Sequence, residues 1–94
     1  MKTAARFPSV ILDGHKGLAF EVPFSPAERW DLAEVRLRPG RRGYRVRGTV
    51  NRLPFESVVV RRSRRFWVLV TDEMKEAGRL RAGGGVKVSL EPAV

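Results

Sequence analysis

The sequence predicts a mainly β protein, a small closed or partly open β-barrel of six to seven short strands with two short helices. Several short segments alternate between apolar and polar residues, which is typical of strands that bury one face. Turn-forming Gly, Asn and Pro residues separate these segments at short intervals. With 94 residues, 43% of them hydrophobic, the chain is long enough for one core. Closure would remove exposed strand edges, and an open sheet with two helices on one face is the alternative.

The first part of the barrel is predicted to be a hairpin followed by a helix. Residues 7–13 and 18–22 alternate as strands and are joined by a turn that contains glycine. Ser25 then precedes Pro26, and Glu28 stands three residues after the serine. This spacing is the capping-box pattern of a helix start, with proline at the first helical position. We therefore expect a short helix to begin at Pro26.

A second group of strands follows this helix. Residues 35–38 alternate like an edge strand, and residues 43–50 alternate with Tyr44 on the inward side. Residues 51–52, Asn-Arg, are predicted to form a two-residue hairpin loop, in which Asn tolerates a positive φ. The loop leads into a strand over residues 53–60.

The last part of the chain is predicted to contain a strand, a helix and a strand. Residues 65–71 include a run that is apolar on both faces, as in a strand buried on both sides. Asp72 can cap a short second helix. After a glycine loop, residues 86–90 alternate clearly between apolar and polar side chains.

One domain is expected, over residues 7–91, between a flexible N-terminus at residues 1–6 and a C-terminal tail at residues 92–94. The longest wholly apolar runs are far shorter than the roughly 20 residues that span a bilayer. The N-terminal segment also lacks the long apolar stretch of a secretory signal. We therefore expect a cytoplasmic protein.

The positive charge is concentrated in one segment of the chain. The net charge is +9, but residues 36–65 contain eleven Arg and one acid, so this segment carries +10 and the remainder carries −1. Such asymmetry is typical of a surface that meets a polyanion. The ordinary alternative is a solvated charged face.

The arginines of this segment are the predicted binding residues, and they are expected to contact phosphates rather than to read bases. They are Arg41, Arg42, Arg45, Arg47, Arg52, Arg61, Arg62, Arg64 and Arg65. Trp67 is the candidate for stacking on bases, because strand alternation places it on the face opposite Phe66 and Val68 and favours its exposure.

The sequence predicts no catalytic or metal-binding constellation. The absence of cysteine excludes thiolate metal sites and thiol nucleophiles. His15, the single histidine, lies in a turn with no nearby partner for general-base chemistry. The glycine loop at residues 83–85 lacks the Lys-Ser or Lys-Thr of a phosphate-binding P-loop. We therefore expect a protein that is not an enzyme and uses no metal or cofactor.

Three segments resemble a known family. They are residues 20–23 before the first helix, residues 46–51 leading into residues 53–56, and the helix, glycine loop and strand of residues 74–88. Their order and spacing resemble the bacterial domain of unknown function 1905 family, over about residues 7–90. The resemblance implies a small closed β-barrel with a short helix, and it implies no catalytic residue because the family has no established activity.

Two positions depart from the family pattern. Arg52 stands where the family has the glycine of an Asn-Gly hairpin, which adds a base at that tip. Gly83 and Gly84 stand where the family usually has Gly-Asp before the last strand.

The composition and the predicted strands support two functions. The first is a small barrel that binds nucleic acid or another polyanion through its arginine-rich surface. The alternative is a protein-interaction or small-ligand-binding barrel with a basic rim, which would have a pocket or apolar patch lined by Trp30 and Trp67.

Overall fold

The computed structural model of the chain describes residues 4–14 and 17–93, with Arg38 described by its backbone alone. These residues form seven strands and two short helices. The strands are β1 (Ala5–Asp13), β2 (Leu18–Val22), β3 (Val35–Arg38), β4 (Arg41–Val50), β5 (Leu53–Arg62), β6 (Arg65–Leu69) and β7 (Gly85–Pro92). The helices are α1 (Pro26–Trp30) and α2 (Asp72–Gly78).

Six of the strands close into an antiparallel barrel. They lie in the order β4-β5-β6-β2-β1-β7, and β7 pairs back with β4 from Val46↔Pro92 to Val50↔Val88. The additional strand, β3, pairs with the first residues of β4. The predicted barrel is confirmed in its closed form, and the open-sheet alternative is wrong, because the pairing of β7 with β4 completes the ring.

Alternating side chains from all six barrel strands fill the interior. Phe20, Ile11 and Leu90 are fully buried, and Phe20 meets Phe55 edge to face with ring centroids 6.3 Å apart. Tyr44 is buried with them, as its position in the strand predicted. This apolar interior holds the barrel together, since buried aliphatic and aromatic area is the main favourable contribution to folding.

Two hairpin turns use left-handed backbone at residues other than glycine. The φ angles are 49° and 71° at Asn51 and Arg52, and 51° and 64° at Ser63 and Arg64. Positive φ at both central residues is what a type I′ turn requires, and this turn matches the twist of the flanking strands. The two-residue loop predicted at Asn51 is confirmed, and each of the two turns carries an arginine at its tip.

The ends of several elements differ from the prediction. β1 begins at Ala5, which pairs with Leu90, so the first paired residues lie within the segment predicted as flexible. β7 continues through Pro92, into the predicted tail. The cap of α2 is Thr71 instead of Asp72, because the Thr71 hydroxyl accepts a hydrogen bond from the backbone N–H of Met74 at 3.1 Å. Local patterns leave such boundaries open, because strand pairing and capping geometry decide them.

Candidate nucleic-acid interface

Two arginine-rich hairpins end at the same pole of the barrel. β5 runs ten residues from the turn at 51–52 to the turn at 63–64, and β4 runs antiparallel beside it. The first residues of β4 therefore lie next to the last residues of β5, and the β3–β4 and β5–β6 turns share one end. We call this surface the arginine end. It consists of Arg36, Arg41, Arg42, Arg61, Arg62, Arg64 and Arg65.

Like charges face one another across both hairpins. Arg36 lies directly opposite Arg42 in the β3–β4 pair, and Arg62 lies directly opposite Arg65 in the β5–β6 pair. Facing like charges destabilise a sheet, by about 0.2 to 1 kcal/mol for a pair of this type. Within the described residues, Arg36 and Arg42 are exposed and neither forms an ion pair with a carboxylate. The fold therefore holds this pair at a cost in stability.

A second apolar cluster, on the outer face of the barrel, fixes the position of β3. Its buried members are Ala19, Val60 and Trp67, and Leu37 of β3 packs against them. The β3–β4 register shifts between Arg36 and Arg38, so Leu37 is the extra residue of a bulge. Because Leu37 packs against residues close to the β5–β6 turn, the two arginine-rich hairpins are held side by side.

The expectation that Trp67 is exposed is wrong. Its side chain does point away from the barrel interior, as strand alternation predicted, but it is only 7% exposed because the outer cluster surrounds it. Its indole Nε1–H donates a hydrogen bond to the backbone carbonyl of Arg62 at 3.3 Å. A ring held in this way has no free face for a base, so the stacking role predicted for Trp67 loses its basis.

Two of the predicted binding arginines are paired with acids. Arg47 lies opposite Glu56 of β5 and Glu91 of β7, and its Nε is 3.0 Å from the Glu91 Oε1. Arg65 reaches Glu21 of β2 with 3.4 Å between the nitrogen and the carboxylate oxygen. Both ion pairs are exposed, so they add little stability, but they lower the positive potential near these two arginines. Arg47 is therefore a weak candidate for phosphate contact.

Arg45 and Arg52 lie outside the arginine end. Arg45 is exposed on the outer face of β4, next to Val58 of β5. Arg52 is in the turn before β5, at the opposite end of that strand from Arg64. Ten strand residues separate these tips by about 30 Å. The structure thus brings together six of the nine predicted arginines and leaves Arg45, Arg47 and Arg52 elsewhere.

Sequence reasoning missed Arg36 as a site residue. The sequence places Arg36 in the basic segment and predicts an edge strand over residues 35–38, but it assigns this strand no neighbour. The short spacing between residues 35–38 and the strand that begins at Arg41 was the available signal, because a turn of this length joins antiparallel neighbours. Such pairing places Arg36 opposite an arginine of β4.

The arginine end reaches the rim of the core at Tyr44. Burial raises the pKa of the Tyr44 phenol above its usual value, the negative charge of Glu34 raises it further, and the positive charge of Arg61 lowers it. The position of Arg61 near this hydroxyl follows from the barrel, since Tyr44 lies opposite Val59 on β5 and Phe66 packs against the Tyr44 ring. The folded chain therefore favours the neutral phenol.

This raised pKa predicts a loss of stability at alkaline pH. Above about pH 10 the unfolded chain releases the phenol proton while the folded chain retains it, so the free energy of unfolding falls as pH rises from the unfolded pKa to the folded one. Below that window Tyr44 has no effect on the pH dependence. Between pH 9 and pH 11, values on either side of the ordinary phenol pKa of about 10, Tyr44→Phe should lose less free energy of unfolding than the wild type. Urea unfolding at the two pH values measures this difference.

Tyr44 is the single tyrosine, so phenolate absorbance gives an independent measurement of the same pKa. The titration midpoint of the folded protein should exceed that of the chain in denaturant. Identical midpoints, or parallel pH profiles for the wild type and Tyr44→Phe, would contradict the burial argument.

The two tryptophans do not form a ligand pocket. Trp30 is 4% exposed and packs edge to face against Phe24, and Trp67 lies in the outer cluster. A groove of about 800 Å³ lies instead between α2 and the outer faces of β4, β5 and β7. Neither Trp lines it. The pocket expected beside Trp30 and Trp67 in the small-ligand alternative therefore gains no support from these side chains.

The described ranges 4–14 and 17–93 contain no arranged metal site. No group of three or more His, Asp or Glu side chains there is positioned to hold a metal ion. His15, which is predicted to lie in a turn, is outside the described residues. No helix in the same ranges has both the length and the apolar content needed to cross a bilayer.

Comparison with known proteins identifies the chain by family and not by activity. A family model described as "Domain of unknown function (DUF1905)" matches residues 8–90, nearly the whole chain. No curated protein matches the sequence. The matched range begins within β1 and ends within β7, so it includes the other barrel strands entirely and both hairpins of the arginine end.

Proposed function

Because the chain belongs to the DUF1905 family, which is described only as a domain of unknown function, we propose from its surface that it is a non-enzymatic module that binds nucleic acid. The arginine end is the binding surface. It contacts the phosphate backbone, and the contacts are independent of base sequence. An acidic protein is the other partner class that such a surface attracts, and competition by poly-glutamate separates the two.

The observation that carries this proposal is the Arg36↔Arg42 pair. Two exposed guanidinium groups face each other across neighbouring strands without a carboxylate partner among the described residues. A polyanion placed over both groups would relieve their repulsion and would release the counterions that condense on nucleic acid. The cost that the pair imposes on the free fold is then offset in the complex.

The remaining arginines extend this surface along one end of the barrel. Arg61 and Arg64 are exposed, and neither has an ion-pair partner among the described residues. Guanidinium groups match phosphate geometry because two N–H groups of one side chain can donate to two oxygens. Trp67 contributes packing and not stacking, since its ring is enclosed. This composition favours binding to the backbone over readout of bases.

A salt titration tests the proposal directly. Fluorescence anisotropy with a labelled random duplex should show binding at low salt, and log K should fall with log salt at a slope near −4 to −5, as expected for about five neutralised phosphates. Poly-glutamate should compete weakly, because a flexible carboxylate chain has a lower charge density than duplex DNA. Absence of binding at low salt would reject the proposal, and displacement of DNA by equimolar poly-glutamate charge would favour an acidic protein as the partner.

A further inference from the structure

A second basic surface lies on the outer face of β1 and β7, away from the arginine end. It is a shallow groove of about 1060 Å³ whose lining includes Arg6, Phe7, Asn51, Arg52 and Lys87. We call it the β7 groove. No Asp or Glu lines it. The groove therefore combines three positive side chains with an apolar floor.

The strand register and one turn hold these cations together. Arg6 pairs with Ser89, and Lys87 stands two residues before Ser89 on the same outer face of β7. The Asn51 N–H donates to the Lys87 carbonyl at 2.8 Å, and the Lys87 N–H donates to the Asn51 Oδ1 at 2.9 Å. These two hydrogen bonds attach the Asn51-Arg52 turn to β7. The position of Arg52 beside the other cations is thus built into the backbone.

The three cations of the β7 groove are available to a ligand. Arg6, Arg52 and Lys87 are exposed, and none of them is ion-paired with a carboxylate in the part of the chain that the structure describes. The two ion pairs that neutralise arginines elsewhere involve Arg47 and Arg65. Among the described residues, no carboxylate is ion-paired with a cation of the groove, whereas the arginine end includes the paired Arg65.

The β7 groove and the arginine end lie at opposite ends of β5. Arg52 precedes the first residue of that strand and Arg64 follows its last, so the two surfaces are about 30 Å apart. The whole barrel measures 31 × 30 × 21 Å along its principal axes. A duplex that crosses the arginine end perpendicular to β5 therefore does not reach the β7 groove.

From this placement we propose that the barrel bridges two nucleic-acid segments, one at the arginine end and a second at the β7 groove. The inference rests on the proposed function, since it assumes that the arginine end holds the first segment. The ligand of the groove is again the phosphate backbone, because its charged groups are three cations from two strands and a turn, and the Asn51 Oδ1 already accepts a hydrogen bond from the Lys87 N–H. Bridging gives this module a role in bringing nucleic-acid segments together.

A two-duplex capture assay tests the bridging. A biotinylated random duplex of about 20 base pairs is fixed to beads at roughly 0.05 M salt, the protein is added, and a second, fluorescent duplex is then offered. The wild-type protein should bind the duplex on the beads and capture the fluorescent duplex. Arg6→Gln/Arg52→Gln/Lys87→Gln should remain on the beads but capture less than about a tenth as much, since removal of each phosphate-binding charge weakens binding several-fold.

The matched control is Lys75→Gln/Arg79→Gln/Arg81→Gln. It removes an equal number of positive charges, from exposed residues that line no part of the groove. It should capture the second duplex like the wild type. Far-ultraviolet circular dichroism confirms that each variant is folded, and sedimentation shows whether the free protein is monomeric.

The possible failures are distinguishable. If the wild type is not retained on the first duplex, the proposed function itself fails. Retention without capture of the second duplex overturns the bridging and leaves the proposed function standing. Capture that persists in the Arg6→Gln/Arg52→Gln/Lys87→Gln variant also overturns it, because the second segment is then held by another surface or by a second copy of the protein.

Discussion

Replacing Arg42, Arg61 and Arg64 together with Gln is expected to weaken binding to a random duplex by about 100- to 1000-fold at roughly 0.1 M salt. All three side chains are exposed at the arginine end, and none has an ion-pair partner among the described residues. Each phosphate that is no longer neutralised reduces the magnitude of the slope of log K against log salt by about 0.9. The slope should therefore change from near −4.5 to about −2, which is a weaker salt dependence. Anisotropy titrations at several salt concentrations measure both quantities.

The fold should survive these substitutions, because removal of like charges relieves repulsion within the hairpins. The control for the reduced net charge is again Lys75→Gln/Arg79→Gln/Arg81→Gln, since the general field of the protein changes equally in both variants. We expect the control to weaken binding by less than about tenfold and to leave the slope nearly unchanged. Equal reductions in affinity in the two variants would mean that net charge, and not the arginine end, determines the affinity.

Arg47 and Arg42 show the difference between an ion-paired arginine and one that is available to a phosphate. Arg47 carries the same charge as Arg42 and is also exposed on β4, but Glu91 and Glu56 flank it. The pairing joins residues that are 44 positions apart in the chain, so no local pattern could show that Arg47 is neutralised. Composition locates charge along a sequence, whereas the potential of a surface depends on which strands become neighbours.

The fold was predictable because its main signals are local. Alternation of apolar residues places Tyr44 and Val46 in the interior, and the Asn51-Arg52 pair predicts the turn between two strands. Closure of the barrel is a different matter. It depends on the pairing of β4 with β7, which joins residues about 40 positions apart and leaves no mark on either strand alone.

Trp67 shows the limit of strand alternation most clearly. Alternation assigned its side chain to the outer face correctly, but it carries no information about what covers that face. Leu37 reaches the outer cluster only because β3 folds back along β4 with a bulge. The same arrangement places Arg36 opposite Arg42, so a single tertiary feature both removes Trp67 as a stacking residue and adds Arg36 to the arginine end.

The closure of the barrel leads to the second large prediction, which concerns Gly48. A Cβ atom at this position would clash with the Ser89 carbonyl oxygen and would lie 3.1 Å from the Leu90 Cα. These are backbone atoms of β7, so they cannot move without separating β4 from β7. Gly48→Ala should therefore lower the free energy of unfolding by on the order of 4 kcal/mol, measured by urea denaturation. Glycine is required here by the close approach of two backbones.

Gly85→Ala is the matched control, since it adds the same methyl group to an exposed strand residue of β7. The nearest atom to its added Cβ would be the Ser9 carbonyl oxygen at 4.0 Å, which is an ordinary contact distance. The free energy of unfolding of this control should stay within about 0.5 kcal/mol of the wild type, because an Ala without strain also reduces the entropy of the unfolded chain.

The β7 groove depends on the same β4–β7 pairing, because Arg52 is attached to Lys87 of β7 through Asn51. In the capture assay, Gly48→Ala should therefore capture less of the second duplex than the wild type. Its retention on the first duplex should change less, because the hairpins of the arginine end lie away from the β4–β7 pairing. If Gly48→Ala and Gly85→Ala have the same free energy of unfolding, the β4–β7 pairing tolerates separation of its strands. The rigid placement of the two basic surfaces at opposite ends would then no longer follow.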